Sequence, residues 1–155
     1  MKSLLAWILI MSLALGLGAC SSTVPPGGVG RKEAPTRFAA ASEGIIRDSR
    51  TGLEWIAGPD RDLDYEQAVQ WVASCRTAGG AWRMPTRYEL KTLYQPGMGR
   101  RNVDPVFNTS GWWVWAESRD SETAWSFSFN HGCITWDART YSRYGRVFAV
   151  RSLLR

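Results

Sequence analysis

Histidine and cysteine are scarce in this chain. Its 155 residues hold one histidine, His131, and three cysteines, Cys20, Cys75 and Cys133. One imidazole gives little scope for a Ser-His-Asp set, and no G-x-S-x-G stretch occurs. No C-x-x-C spacing occurs either, so no metal centre is expected. Carboxylate pairs such as Glu117 with Asp120 exist, but sequence spacing cannot place them at the separation glycoside hydrolysis needs. The chain is therefore expected to be non-catalytic and without a cofactor. Long apolar runs are missing too. The longest, residues 4–17, is shorter than the about 20 residues that span a bilayer. The formal net charge is +5, yet no nucleic-acid-binding motif is visible. An exported basic protein has other acidic partners to meet, so nucleic acid is not expected.

What is present at the start reads as an address. Lys2 precedes the apolar run, as in a secretory signal. Leu17-Gly18-Ala19-Cys20 then matches a bacterial lipobox. Small residues before Cys20 suit the signal peptidase, and the thiol takes the lipid. The competing reading is an ordinary signal peptide with a chance cysteine. Residues 1–19 are thus expected to be a signal peptide. Residues 20–43, rich in Ser, Pro, Gly and Ala, read as a lipidated cysteine and flexible tether. Residues 44–155 are one domain in length. Ser21 after the cysteine resembles lipoproteins sent on to the outer membrane. The expected location is the bacterial cell envelope, at the outer membrane, with the chain held to the membrane by its lipid.

Two cysteines remain after lipidation. In an oxidising compartment Cys75 and Cys133 read as one disulfide, contributing about 3–4 kcal/mol in the chain-entropy model. Two separate thiols are the alternative.

The globular part shows clear local signals. Residues 45–48 and 53–56 read as strands around the turn Asp48-Ser49-Arg50-Thr51-Gly52. Leu53 and Trp55 fall on one strand face. Residues 64–78 read as a helix capped by Asp64, with Tyr65, Ala68, Val69 and Val72 at helical spacing. Acidic residues crowd its start, where the dipole favours them. They lack the spacing of a calcium loop. Thr86 and Glu89 form a capping box for a short helix to about residue 94. Pro85 sits before the cap, where it costs no helical hydrogen bond. Residues 95–111 form a long irregular run, which in a compact domain is functional or mobile. Strands are expected over 112–116, 124–129, 133–137 and 146–151. His131 falls in a turn between two of them and reads as a solvated turn residue.

Thr51-Gly52-Leu53-Glu54-Trp55 and Trp82-Arg83-Met84-Pro85-Thr86-Arg87-Tyr88-Glu89-Leu90 stand in that order, followed by Trp113 with Trp115-Ala116-Glu117-Ser118, then Ala124-Trp125. This pattern resembles the Legionella collagen-like protein C-terminal domain family, over nearly all of residues 44–151. The resemblance implies an α+β, C-type-lectin-like domain: two helices, a small antiparallel sheet and a long irregular loop. It also implies a binding module, since well-known members are surface adhesins that bind sulfated glycans. Members often end V-R-C-V-R, whereas Ala149 stands at that cysteine's place here. The Cys75–Cys133 pairing then requires the strand of Cys133 to lie beside the last one. Calcium-dependent lectins use E-P-N or Q-P-D with W-N-D. Gln95-Pro96-Gly97 and Trp136-Asp137 depart from both, so calcium is not expected. The reactive cysteine pair of formylglycine-generating enzymes has no counterpart.

Charge is uneven along the domain. Residues 44–82 hold four arginines against six acids, and residues 83–155 hold eleven Lys and Arg against six acids. Arg100, Arg101, Arg119, Arg139, Arg143 and Arg146 fall in loops or at strand ends. Trp112, Trp136, Tyr141 and Tyr144 lie among them. Arginine forks suit sulfate, phosphate and carboxylate, and aromatic rings stack on sugar faces or hold arginine. The six arginines with Trp136, Tyr141 and Tyr144 are the candidate ligand-binding set, for an acidic glycan or a surface protein. The competing reading makes the tryptophans core and pairs the arginines locally.

Overall fold

A computed structural model describes residues 36–153. The fold is α+β. In chain order the elements are β1 (Phe38–Ala40), β2 (Ile45–Asp48), β3 (Leu53–Ala57), α1 (Tyr65–Ser74), α2 (Arg87–Leu93), β4 (Trp113–Ser118), β5 (Thr123–Ser128), β6 (Cys133–Ala138), β7 (Gly145–Arg146) and β8 (Phe148–Ser152). One small antiparallel sheet was expected; the strands form two sheets of four. The first runs β1-β2-β3-β8 and the second β6-β5-β4-β7. Every pair is antiparallel except β4 with β7.

Both sheets bury apolar residues on both faces, which explains why simple alternation understates them. Trp55, Phe148, Val114 and Phe127 meet Leu90 and Leu93 of α2 in one core cluster. Ile56, Ala149, Trp115 and Ala124 meet Tyr65, Ala68 and Val72 of α1 in the other. Leu53 joins Trp55 in the first cluster, as its place on the strand requires.

Each helix starts where its cap says. Asp64 accepts from the Gln67 amide at 2.8 Å while the Gln67 side chain accepts from the Asp64 amide at 3.2 Å. Thr86 accepts from the Glu89 amide at 3.1 Å, and Glu89 accepts from the Thr86 amide at 2.8 Å. Glu89 also takes the Arg83 guanidinium in a two-pronged pair at 2.6 and 2.9 Å. Helix α1 ends at Ser74, four residues before the expected end. The carbonyls beyond it are claimed elsewhere: Thr77 O by the Trp82 indole, and Ala78 O and Gly80 O by Arg151.

Two further expectations are refined and one is corrected. The ordered body begins before residue 44: Phe38–Ala40 pairs with β2, and Arg37 grips the buried Asp48 at 2.6 and 2.9 Å. The signal, lipobox and most of the tether lie outside the described residues. The long 95–111 run is anchored rather than loose. Phe107 is fully buried against Phe38, Trp55 and Phe148, and burial of such a ring contributes about 1.5–3 kcal/mol. Asn102 adds hydrogen bonds to Gln95, Gly97 and Phe129. Finally, Cys75 and Cys133 are both free. The expected disulfide needed β6 beside the last strand. β8 instead pairs with β3 in the other sheet, and β6 is a sheet edge that leaves Cys133 exposed.

The two ends of the fold differ. Phe38 pairs with Asp48 and Ser152 with Leu53, so both termini of the described chain flank the β2–β3 turn. Phe148 pairs with Ala57 at the far end of β8, and β7 lies just beyond it. At about 3.3 Å per residue, roughly 20 Å separates Arg146 from Ser152.

Candidate functional site

A cleft of about 530 Å³ opens at that far end. Its floor comes from one face of the second sheet. Trp113 on β4 stands opposite Ser128 on β5, and Ser126 stands opposite Thr135 on β6. Alternation puts Asp137 two residues on, on the same face. The Ser126 hydroxyl contacts Thr135 at 2.7 Å and donates to Asp137 at 3.3 Å.

The wall comes from the segment before β7. Trp112 N–H donates to Tyr144 O, and the Trp113 indole donates to Arg143 O. These bonds hold two aromatic stacks upright. Trp112 lies on Tyr144 with centroids 4.2 Å apart, and Trp113 lies on Tyr141 at 5.9 Å. Gly145 lets the wall close: a Cβ there would fall 2.4 Å from the Trp113 ring. Tyr144 takes left-handed backbone at φ 63°, a conformation that costs an ordinary residue about 1–2 kcal/mol. Trp136, stacked with Arg119 toward the other sheet face, borders the cleft at the β6 edge, and Asn130 and His131 from the β5–β6 turn complete the rim. Trp112, Trp136 and Tyr141 are all exposed.

Arg143 brings positive charge to this cleft. It is exposed, and its hydrogen bond runs to the Tyr144 hydroxyl at 3.1 Å, with the guanidinium 5.0 Å from that ring. Among the described residues no carboxylate lies in salt-bridge contact with it. The cleft can therefore stack a flat apolar face, accept and donate in-plane hydrogen bonds, and take an anion.

The nine candidate residues divide between places. Trp136, Tyr141, Arg143 and Tyr144 share the cleft. Arg100 and Arg101 line a smaller depression of about 280 Å³ under the long loop, where Arg101 donates to Ser110 O. Arg119 lies on the other sheet face, stacked 4.8 Å from Trp136 and 5.4 Å from Trp125.

The fold itself uses Arg139 and Arg146. Arg139 forks onto Glu66 at 2.6 and 3.0 Å and covers the Tyr65 ring. Arg146 is buried. It reaches Asp60 and Asp62 at 2.8 Å each, and Ser110 at 3.0 Å. Burial alone would lower the Arg146 pKa, but the two aspartates outweigh it and hold it above its ordinary value. The acidic start of α1 thus serves as a clamp for β7.

Trp113, Ser128, Thr135 and Asp137 line the cleft although none is among the nine candidates. The period-two spacing of Thr135 and Asp137 was visible; the cross-strand pairing that brings Trp113 beside them was not. Among the described residues, no three His, Cys, Asp or Glu side chains gather as a metal site.

No curated protein matches the chain. The family model for the Lcl C-terminal domain matches residues 44–151. That span holds both helices, every strand but β1 and the last residue of β8, and the whole cleft, and the chain belongs to the Legionella collagen-like protein C-terminal domain family.

Proposed function

We propose that the chain is a non-catalytic, lipid-anchored binding module of the bacterial cell envelope, at the outer membrane, and that the aromatic cleft takes an acidic glycan. One observation carries the reading: two aromatic stacks stand beside an exposed arginine that has no carboxylate partner among the described residues. Sugar rings offer an apolar C–H face to such stacks and hydroxyls to the polar floor. The anionic group of the sugar pairs with Arg143.

A second reading rests on a different surface. Tyr88 and Trp136 are 60% and 53% exposed. Between them Arg87 covers Tyr88 and Trp125, and Arg119 covers Trp125 and Trp136, all within 5.4 Å. Aromatic and arginine side chains are the anchors that protein interfaces favour. A structural envelope lipoprotein docking on a partner protein would use this ladder.

A glycan array carrying sulfated and unsulfated uronic-acid polymers, read at low and high salt, separates the readings. Binding lost in Trp112→Ala and Arg143→Ala, and kept in Arg119→Ala, supports the cleft. No binding to any acidic glycan at low salt refutes glycan binding and favours the docking reading.

A further inference from the structure

Asp137 is an acid inside a cleft expected to take acids, and it asks for an explanation. Eight other acids of the described chain sit in ion pairs with arginine. Asp137 has no such partner among the described residues; its hydrogen bond comes from the Ser126 hydroxyl, onto one oxygen. It is only half-buried and lines the same cleft as Arg143.

We propose that Asp137 makes this cleft selective for a sugar bearing free neighbouring hydroxyls and few acidic groups, and that densely sulfated chains are rejected. The inference rests on reading the cleft as a glycan site. Its chemistry is direct. An ionised carboxylate only accepts, with about four lone-pair positions. One is taken by Ser126, so the rest suit the O–H donors of a vicinal diol. Thr135 and Ser128 beside it both donate and accept. Sulfation replaces each donor by an anion that has no proton to give. It also brings like charge against Asp137, inside a partly closed site where charges are poorly screened. Among the described lining residues Arg143 is the one cation, which matches one acid per sugar, as in a uronic acid; Arg101 lies 5.9 Å from the Trp112 ring but belongs to the neighbouring depression, where it donates to Ser110 O. A site built for dense sulfation would show several unpaired cations on its lining. Here the neighbouring candidates Arg139 and Arg146 are spent on Glu66, Asp60 and Asp62.

The test is isothermal titration of the full-length chain, held in detergent, with two probes. One is an unsulfated tetrasaccharide of alternating uronic acid and N-acetylhexosamine; the other is the same tetrasaccharide fully sulfated. The proteins are wild type, Asp137→Asn and Arg143→Ala, with melting curves to show that each is folded. The expected result is that wild type binds the unsulfated probe about tenfold tighter than the sulfated one. Losing charged hydrogen bonds in Asp137→Asn should weaken the unsulfated probe by about tenfold, while the sulfated probe binds more tightly. Preference of wild type for the sulfated probe overturns the proposal. So does an Asp137→Asn variant that changes neither affinity by more than about twofold. If Arg143→Ala abolishes binding in that case, the cleft stands as a glycan site and only the role of Asp137 falls. If neither probe binds wild type, both readings fall together.

Discussion

Removing the Arg151 guanidinium tests how the scaffold holds together. Arg151 and Glu54 face each other from β8 and β3, with side chains 7% and 5% exposed. Their contacts are 2.9 Å from Nε and 2.8 Å from Nη2. Arg151 also donates to Ala78 O and Gly80 O and lies 4.3 Å from the Trp82 ring. Arg151→Met keeps the stem and deletes every one of these contacts. Glu54 is left with Arg47, which is 61% exposed and so contributes little. Losing one partner of a buried pair costs about 3–5 kcal/mol. At about 4 °C per kcal/mol for a domain of this size, the melting midpoint falls about 12–20 °C.

The pH dependence gives the sharper check. Burial raises the Glu54 pKa, but the hydrogen bonds from Arg151 and Arg47 outweigh it and hold it below its ordinary value. A depressed carboxyl contributes stability that is present above the unfolded pKa and lost as pH falls through the folded one. Without Arg151 the sign reverses. Burial then raises the Glu54 pKa, and protonation relieves the penalty as pH falls. Urea denaturation of wild type and Arg151→Met from pH 7 to pH 4 measures the difference. The penalty should shrink toward acid, and adding Glu54→Gln should recover part of it at pH 7. A loss under about 1 kcal/mol at pH 7, or one flat across that range, refutes this account of the pair.

Three other outcomes follow from the same contacts. Arg146→Ala should lower stability by about 1–3 kcal/mol through lost hydrogen bonds to Asp60, Asp62 and Ser110, whereas exposed Arg143→Ala should stay within about 0.5 kcal/mol; denaturant midpoints decide. Native protein should react with a maleimide at Cys133, and reductant should leave the melting midpoint unchanged, since no disulfide joins it to Cys75. Gly132→Ala should cost about 2–5 kcal/mol, of which about 1–2 is backbone strain at φ +71° and about 1–3 comes from a Cβ that would fall 2.5 Å from the Tyr94 ring. Gly52→Ala, at φ +68° with nothing within 4 Å, should cost only the backbone strain of about 1–2 kcal/mol, and paired melts compare them.

Local chemistry was legible in the sequence and long-range pairing was not. Thr86 with Glu89 states a helix start within four residues, and the structure has that start. Asp64 does the same for α1. The end of α1 was misplaced because carbonyls 77, 78 and 80 are claimed by Trp82 and Arg151, which come later in the chain. The hairpin of β2 and β3 was visible in its turn residues; the strand β1 was not, since Phe38-Ala39-Ala40 lacks a pattern and is held by Arg37 reaching Asp48. The candidate arginines were chosen by sequence region. That criterion cannot separate Arg143, exposed at the cleft, from Arg146, three residues away and buried against two aspartates.

The residues that identify the family are mostly occupied in building it. Trp82 donates to Thr77 O, Arg83 and Glu89 lock the start of α2, and Glu117 takes both the Arg87 amide and its guanidinium at 2.6 and 2.5 Å. Trp115 is fully buried and donates to Leu63 O. Trp55 is fully buried in the core against Phe107. Trp113 alone among these also faces the cleft, where Gly145 packs on its ring. The rest of the cleft, from Trp112 through Asp137 to Arg143 and Tyr144, stands outside the identifying pattern. The frame that holds the cleft open thus lies within that pattern, and on the proposed reading the choice of ligand rests on side chains outside it.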